Sequence, residues 1–252
     1  AIYLERFLPR VRHIEVQVLG DGKGNSLQFD ERDCSVQRRH QKLVEESPSP
    51  AVDEKLRARL LEVSGLLTRG IAYEGAGTVE FIFNEASGEF FFIEMNTRIQ
   101  VEHPVTEMVT GIDIVQAQIR VATGDSLGYR QRDVEIQGHA VECRINAEDP
   151  GSFLPCPGQI TQYHPPGGPG IRVDSHVFNN YVVPPHYDSL IAKVIAHGAN
   201  REQAMRRMSG ALEEMVVDGI TTNISLQQAL VSDPAFRQGP LDIHYLERRY
   251  TR

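Results

Sequence analysis

The stretch Phe92-Ile93-Glu94-Met95-Asn96-Thr97-Arg98-Ile99-Gln100-Val101-Glu102-His103-Pro104 decides the reading of this chain. The apolar run Phe90 to Ile93 delivers Glu94 and Asn96 at the end of a predicted strand, and Arg98, Gln100 and Glu102 follow. Polar groups this dense, just after a buried strand, rarely serve packing. They fit a site that handles a metal ion and a small anion.

Upstream, Val79-Glu80-Phe81-Ile82-Phe83 reads as a strand, Glu89 to Glu94 as a second one, and Asn84-Glu85-Ala86-Ser87-Gly88 as the loop of a hairpin. A register centred near Ser87 sets Glu80 opposite Glu94. Like charges directly across a ladder are unfavourable. At ~4 Å and an effective dielectric near 20 the repulsion is about 4 kcal/mol. A divalent cation between the two reverses that sign, and hard oxygen ligands suit magnesium or manganese shared with nucleotide phosphates. Taken alone, the pair also fits two solvated strand carboxylates; the apolar flanks and Asn96 favour the metal.

Composition sets the frame. The 252 residues, 40% hydrophobic and 24% charged, are enough for one large globular domain or two small ones. A net charge of -8 argues against a general nucleic-acid binder. Cys34, Cys143 and Cys156 have no metal-type spacing and suggest no disulfide framework. No apolar run reaches the roughly 18 residues of a membrane span, and no signal peptide is visible. A reducing, cytoplasmic setting is expected, with a mitochondrial one left open as the alternative.

Outward from the hairpin, strict alternation over His13 to Leu19 places Ile14, Val16 and Val18 on one strand face. Ser26 to Phe29 should return as its partner. The polar residues 31–50 read as a functional loop. Leu56, Leu60, Val63 and Leu67 predict a helix over Asp53 to Thr68, with Gly70 as its C-cap. Glu102 to Thr123 reads as helix, broken near Gly111-Ile112-Asp113, with Asp113 capping the second segment. Residues 124–137 look like a boundary, Gly138 to Asn146 and Leu190 to His197 like strands, and Asn200 like the cap of a helix. Met205, Met208 and Met215 form a core stripe. Intermixed helices and hairpins indicate an α+β fold.

Three motifs together, residues 31–42, 92–104 and 139–150, resemble those of biotin carboxylase, an ATP-grasp ligase found in acetyl-CoA, propionyl-CoA and pyruvate carboxylases. The likeness runs from about Ile2 to Tyr245. It implies the C-terminal half of an ATP-grasp fold over 1–125, followed by the biotin carboxylase C-terminal domain over 137–248. It implies phosphorylation of bicarbonate by ATP to carboxyphosphate, whose carbon dioxide carboxylates N1 of biotin. By this resemblance Glu80, Glu94 and Asn96 hold Mg2+ or Mn2+; Arg98, Gln100 and the Val101 backbone form the bicarbonate pocket, with Lys42 as a further anion ligand. Glu102 is then the base that deprotonates bicarbonate, and Arg144 the cation facing the biotin ureido oxygen. Glu5, Leu8, His13, Gln37, His40, Ile82 and Ile243 surround the nucleotide. The implied partners are a biotin carboxyl carrier domain, a carboxyltransferase component and a second copy of the chain. The loop around Pro169 resembles a homodimer-interface segment of the family, but Pro169 stands where an aromatic is often found, which argues against pairing through that loop. The family's amino-terminal domain and most of its lid have no counterpart in these residues, so the stretch alone is expected to turn over little.

The residues support these roles independently. Arg98, four residues before Glu102, and Lys42 should hold Glu102 ionised, and a guanidinium fork suits carboxylate-like anions. Glu102 also fits an acid favoured at a helix N-terminus, followed by Pro104 in the first turn. Arg38, Arg39, His40 and Lys42 also fit a solvated basic loop. Two further readings stay open: another ATP-grasp ligase, such as a carbamoyl-phosphate synthetase-like enzyme, and a non-catalytic module that holds a carrier domain.

Overall fold

The alternation of His13 to Leu19 is realised as β1 (Arg12–Asp21), in a computed structural model that describes residues 2, 4, 6–239 and 241–250. Ile14, Val16 and Val18 are fully buried on one face. They pack with Leu60 of α1 (Glu54–Gly70) and with Val79 and Phe81 of β4 (Glu74–Asn84). Period-two geometry sends His13, Glu15 and Gln17 to the opposite face. That face carries the site.

β1 is central in an eight-stranded sheet whose neighbours are all antiparallel. With β2 (Ser26–Arg38), β3 (Gln41–Ser47), β5 (Glu89–Asn96), β6 (His139–Asn146), β9 (Ile171–Ser175) and β11 (Leu190–Gly198), the order is β5-β4-β1-β2-β3-β6-β11-β9. The β3–β6 ladder, Val44 to Ser47 against Ala140 to Cys143, therefore joins the two stretches of chain on either side of residues 124–137. Two small ladders complete the strands: β7 (Gly158–Gln159) with β10 (Val182–Val183), and β8 (Gln162–His164) with β12 (Val216–Asp218).

On the face that carries the site lie α2 (His103–Thr110) and α3 (Ile114–Ala122). Val105 and Val109 of α2 pack on Ala140 and Ile195; Ile114, Ala117 and Val121 of α3 pack on Leu19 and Phe29. The break between them falls at Gly111, left-handed at φ 69, and Asp113 caps α3 by accepting from the Gln116 amide at 2.7 Å. α4 (Arg201–Glu214), capped by Asn200, brings Met205 and Met208 into the largest core cluster. α5 (Ile224–Ser232), α6 (Pro234–Gln238) and α7 (Tyr245–Tyr250) add Leu230, Phe236 and Leu246 to it.

Two expectations are corrected. Residues 31–50 are mostly strand: β2 continues to Arg38 and β3 follows after a two-residue turn. Their polar composition mimics a loop because buried charges there satisfy one another, as Arg12 with Asp33 and Arg57 with Glu31 do at 2.8 Å. Gly70 is the last helical residue of α1 rather than its cap; Ile71 caps, its amide reaching the carbonyls of Leu67 and Arg69.

Candidate active site

A row of charged residues crosses four strands. Arg32 of β2 stands opposite Glu15 of β1, Glu15 opposite Glu80 of β4, and Glu80 opposite Glu94 of β5. The last pairing depends on a β-bulge. Phe81 pairs with Phe92 while Glu80 pairs with Glu94, so Ile93 is the extra residue. Without it Ile93 would oppose Glu80 and Glu94 would turn to the core face. Asn96, opposite Thr78, lies on the same face two residues on.

Arg32 is the hub. It is fully buried, and its five N–H groups meet five acceptors: Glu15 Oε1, Gln17 Oε1 at 2.7 Å, Thr106 and Thr78 Oγ1 at 3.1 Å, and Gln100 Oε1 at 3.2 Å. The guanidinium thereby clamps β1, β4, α2 and the Gln100 loop together. Gln100 passes the order on, donating to Glu80 Oε1 at 2.9 Å.

Lys42 enters from β3. The preceding turn has Arg39 and His40 both left-handed, at φ 48 and 66, the geometry of a tight two-residue hairpin. Lys42 Nζ donates to three carboxylates: Glu15 Oε2 at 2.6 Å, Glu102 Oε1 at 2.6 Å and Glu80 Oε1 at 2.9 Å. The second oxygen of Glu102 accepts from Arg144 NH2 at 2.9 Å. Glu102 precedes α2, yet its side chain makes no capping hydrogen bond. It points into the site, so helix capping does not account for it. Its cationic partners are Lys42 and Arg144, not the Arg98 expected from four-residue spacing.

Electrostatics follow from burial and pairing. Burial alone would raise the Glu15 carboxyl, but Lys42 and Arg32 hold it well below the usual range. Burial would likewise raise Glu80, yet the hydrogen bond to His13 and the charge of Lys42 keep it at about 2. Burial opposes the charge on His13; Glu15 and Glu80, 3.5 and 3.3 Å from its Nε2, more than offset that and lift it to about 9.

Of these groups His13, Lys42, Glu80, Gln100, Glu102 and Arg144 line a cavity of about 920 Å³. Its wall holds His13, Gln37, His40, Lys42, Glu80, Glu94, Asn96, Arg98, Gln100, Val101, Glu102 and Arg144. Arg98 is exposed at its edge, touching the Ile99 carbonyl and Asn96 Oδ1 at 3.2 and 3.4 Å. It makes no ion pair among the described residues, so its charge is available to an anion. Leu8, Ile82 and Ile243 stand outside the wall. Ile82 pairs with His13, and the Ile243 amide donates to the Val11 carbonyl, which places both beside the start of β1. Leu8 is half-buried just before it. Glu5 lies outside the described residues.

Two family models divide the chain: residues 1–130 match the carbamoyl-phosphate synthase L chain ATP-binding domain, and residues 142–248 the biotin carboxylase C-terminal domain. The chain belongs to the biotin carboxylase family. Biotin carboxylase of Pseudomonas aeruginosa is 56% identical over 248 residues, 98% of this chain and 55% of that protein. The chloroplastic biotin carboxylase of Arabidopsis thaliana is 50% identical over 245 residues, 97% of this chain and 45% of its own length. The biotin carboxylase domain of a thermophilic 2-oxoglutarate carboxylase, solved with bicarbonate bound, superposes with a TM-score of 0.94 at 48% identity, covering 96% of this chain and 55% of that one. The chain thus spans about half the length of the relatives it matches.

Within this family frame, three residues that the sequence reading leaves unassigned matter most: Glu15, Arg32 and Glu45. The polar face of β1 and the charge density of Glu31-Arg32-Asp33 are the available signals. Glu45, fully buried on β3, accepts from Arg144 Nε at 2.6 Å. Arg144 is thus pinned between Glu45 and Glu102. Among the described residues, three groups of side chains offer ligand atoms to a cation. His13, Glu15 and Glu80, and likewise Glu15, Cys34 and Glu102, present ligand atoms within 4.8 Å of one another, but both Glu15 oxygens already accept from Arg32 and Lys42. Glu94 and Asn96 offer oxygen donors on the open side of the row, beside Glu80, whose Oε1 accepts from Lys42 and Gln100 and whose Oε2 faces His13; oxygen donors of this kind suit a hard divalent ion. Among the described residues no helix is long and apolar enough to cross a membrane.

Proposed function

We propose that this chain carries the catalytic floor of an enzyme that carboxylates carrier-linked biotin, using ATP and bicarbonate by way of carboxyphosphate. One observation carries the reading. The Glu102 carboxylate is fixed between Lys42 at 2.6 Å and Arg144 at 2.9 Å, in a cavity that also holds Arg98 and the Glu80–Glu94 pair.

Arg98, Gln100 and the Val101 backbone bind bicarbonate, beside Lys42. Glu102 takes its proton and makes it the nucleophile. Glu80, Glu94 and Asn96 hold Mg2+ or Mn2+, which neutralises charge on the transferring phosphoryl group. Arg144 stabilises the ureido oxygen of biotin as it gains enolate character. His13, Gln37 and His40 face the nucleotide from the cavity wall; Glu5, Leu8, Ile82 and Ile243 are assigned to it by resemblance. The division into an ATP-grasp portion to residue 125 and a C-terminal domain from 137 follows the same reading. So do a carrier domain and a carboxyltransferase as partners, with pairing of two copies.

The test is bicarbonate-dependent ATP hydrolysis by the full-length gene product, with and without free biotin. Stimulation by biotin supports the reading. Bicarbonate-dependent hydrolysis indifferent to biotin would point instead to an ATP-grasp ligase with another acceptor. Full carboxylation by a Glu102→Gln variant would leave a non-catalytic module.

A further inference from the structure

Behind Arg144 lies a second pair of acids that the assigned chemistry does not use. Glu45 of β3 and Glu142 of β6 are cross-strand partners, and both are fully buried. Directly opposite residues on an antiparallel ladder have Cβ atoms roughly 5 Å apart, on one face. Glu45 Oε1 accepts from Arg144 Nε. Glu45 Oε2 and both Glu142 oxygens have no hydrogen-bond partner among the described residues. Such orphaned oxygens are costly when charged.

The surroundings do not neutralise two carboxylates. Arg144 is committed to Glu45 and Glu102. Lys193 of β11 donates to the Val101 carbonyl at 2.9 Å and sits 3.4 Å from Asp174. Glu102 adds a further negative charge. The α2 residues packed nearby, Val105 and Val109, are apolar. One proton placed on Glu142 removes the conflict. Its O–H can donate to Glu45 Oε2, which supplies the missing donor and leaves Glu45 as a carboxylate for Arg144.

We propose that Glu45 and Glu142 form a one-proton acid pair that positions Arg144: Glu142, neutral, donates to Glu45, and Glu45, ionised, fixes the guanidinium so that NH1 is left for substrate. The direction of titration agrees. Burial lifts Glu45 to about 7 against the pull of Arg144 and Lys42, and burial together with Glu45 raises Glu142 well above the usual carboxylate range. Of the three guanidinium nitrogens, Nε and NH2 are taken, while NH1 has no protein partner among the described residues. Both acids are positioning residues, acting through Arg144. The role for Arg144 rests on the function proposed above; the shared proton does not.

Infrared spectroscopy of the full-length gene product at pH 7 tests the proton directly. A protonated-carboxyl band should be present and should vanish in Glu142→Gln. Asp30, also raised by burial, to about 8, supplies a second band that stays as an internal reference. In the biotin-dependent assay, Glu142→Gln retains a donor and should keep activity several-fold above Glu142→Leu, which has none. Glu45→Gln should lower kcat/KM for biotin by roughly 10- to 100-fold, the loss of a charge-assisted hydrogen bond, with KM for ATP unmoved. A wild-type spectrum from which Glu142→Gln subtracts no carboxyl band overturns the proposal, as does equal activity of the Gln and Leu variants. If the band is lost on mutation but biotin never stimulates the parent enzyme, the acid pair stands and the functional assignment falls.

Discussion

Arg32 holds Gln100 by its amide oxygen, 3.2 Å from NH2, while the other end of that amide donates to Glu80. A residue sealed in the sheet thus sets the orientation of one at the cavity wall. Removing the guanidinium leaves Glu15 with a single strong cationic partner, Lys42, and four further acceptors, on Gln17, Thr78, Gln100 and Thr106, without that donor. Breaking a buried pair of this kind costs about 3–5 kcal/mol. Arg32→Met should lower Tm by roughly 10 °C in a chain of this size, at a few degrees per kcal/mol. Calorimetry reads it; a melt within a degree or two of wild type would contradict the hub role.

Glu102→Gln keeps the shape of the side chain and removes its ability to take a proton. In the full-length gene product, bicarbonate-dependent turnover should fall by roughly 10²- to 10⁴-fold, with KM for ATP little changed. A thermal melt unchanged from wild type separates this from a folding defect, since a misfolded fraction would also lower turnover at unchanged KM.

Glu80 and Glu94 should share control of the divalent ion. Glu94→Gln should raise the Mg2+ concentration for half-maximal activity at least roughly tenfold, the scale on which even residues outside the ligand set act. Magnesium titration at fixed ATP checks this. The bulge makes the effect specific: Ile93→Ala, altering the adjacent inserted residue, should move that midpoint far less.

Acid stability should depend on Glu46. Burial would raise its carboxyl, but His139 at 2.8 Å and the two contacts from Arg201, at 2.6 and 3.1 Å, hold it at about 2. The ordinary value is 4.5, so folding gains roughly 3 kcal/mol above that pH, lost as pH falls toward 2. Urea midpoints for Glu46→Gln should be lower than wild type near neutrality and converge with it as pH drops. Parallel curves would exclude the linkage.

The sequence discloses the site unevenly, for physical reasons. The β4–β5 hairpin is legible because alternation and a loop-like spacer fix it locally, whereas the Glu80–Glu94 pairing within it rests on the Ile93 bulge, which neither signal announces. Asp113 and Asn200 are legible because a cap needs only neighbours three residues on. The Arg32 hub is not, since its partners lie 15 to 74 residues away. Residues 31–50, the rest of β2 and all of β3, read as loop from composition because charge density signals solvent exposure only when the charges lack partners in the interior. The Glu45–Glu142 pairing needs β3 against β6, a contact spanning most of the first half of the chain that no local period announces.

The β3–β6 ladder has a mechanical consequence. Lys42 and Glu45 ride on one strand, Glu142 and Arg144 on the next, and backbone hydrogen bonds tie the two edge to edge. Such a seam is stiff along its length and does not work as a hinge. Glu45 and the strand that carries the Arg144 guanidinium it fixes are therefore held at constant separation. Any opening and shutting has to be done by chain that moves over this platform, while the platform itself stays still.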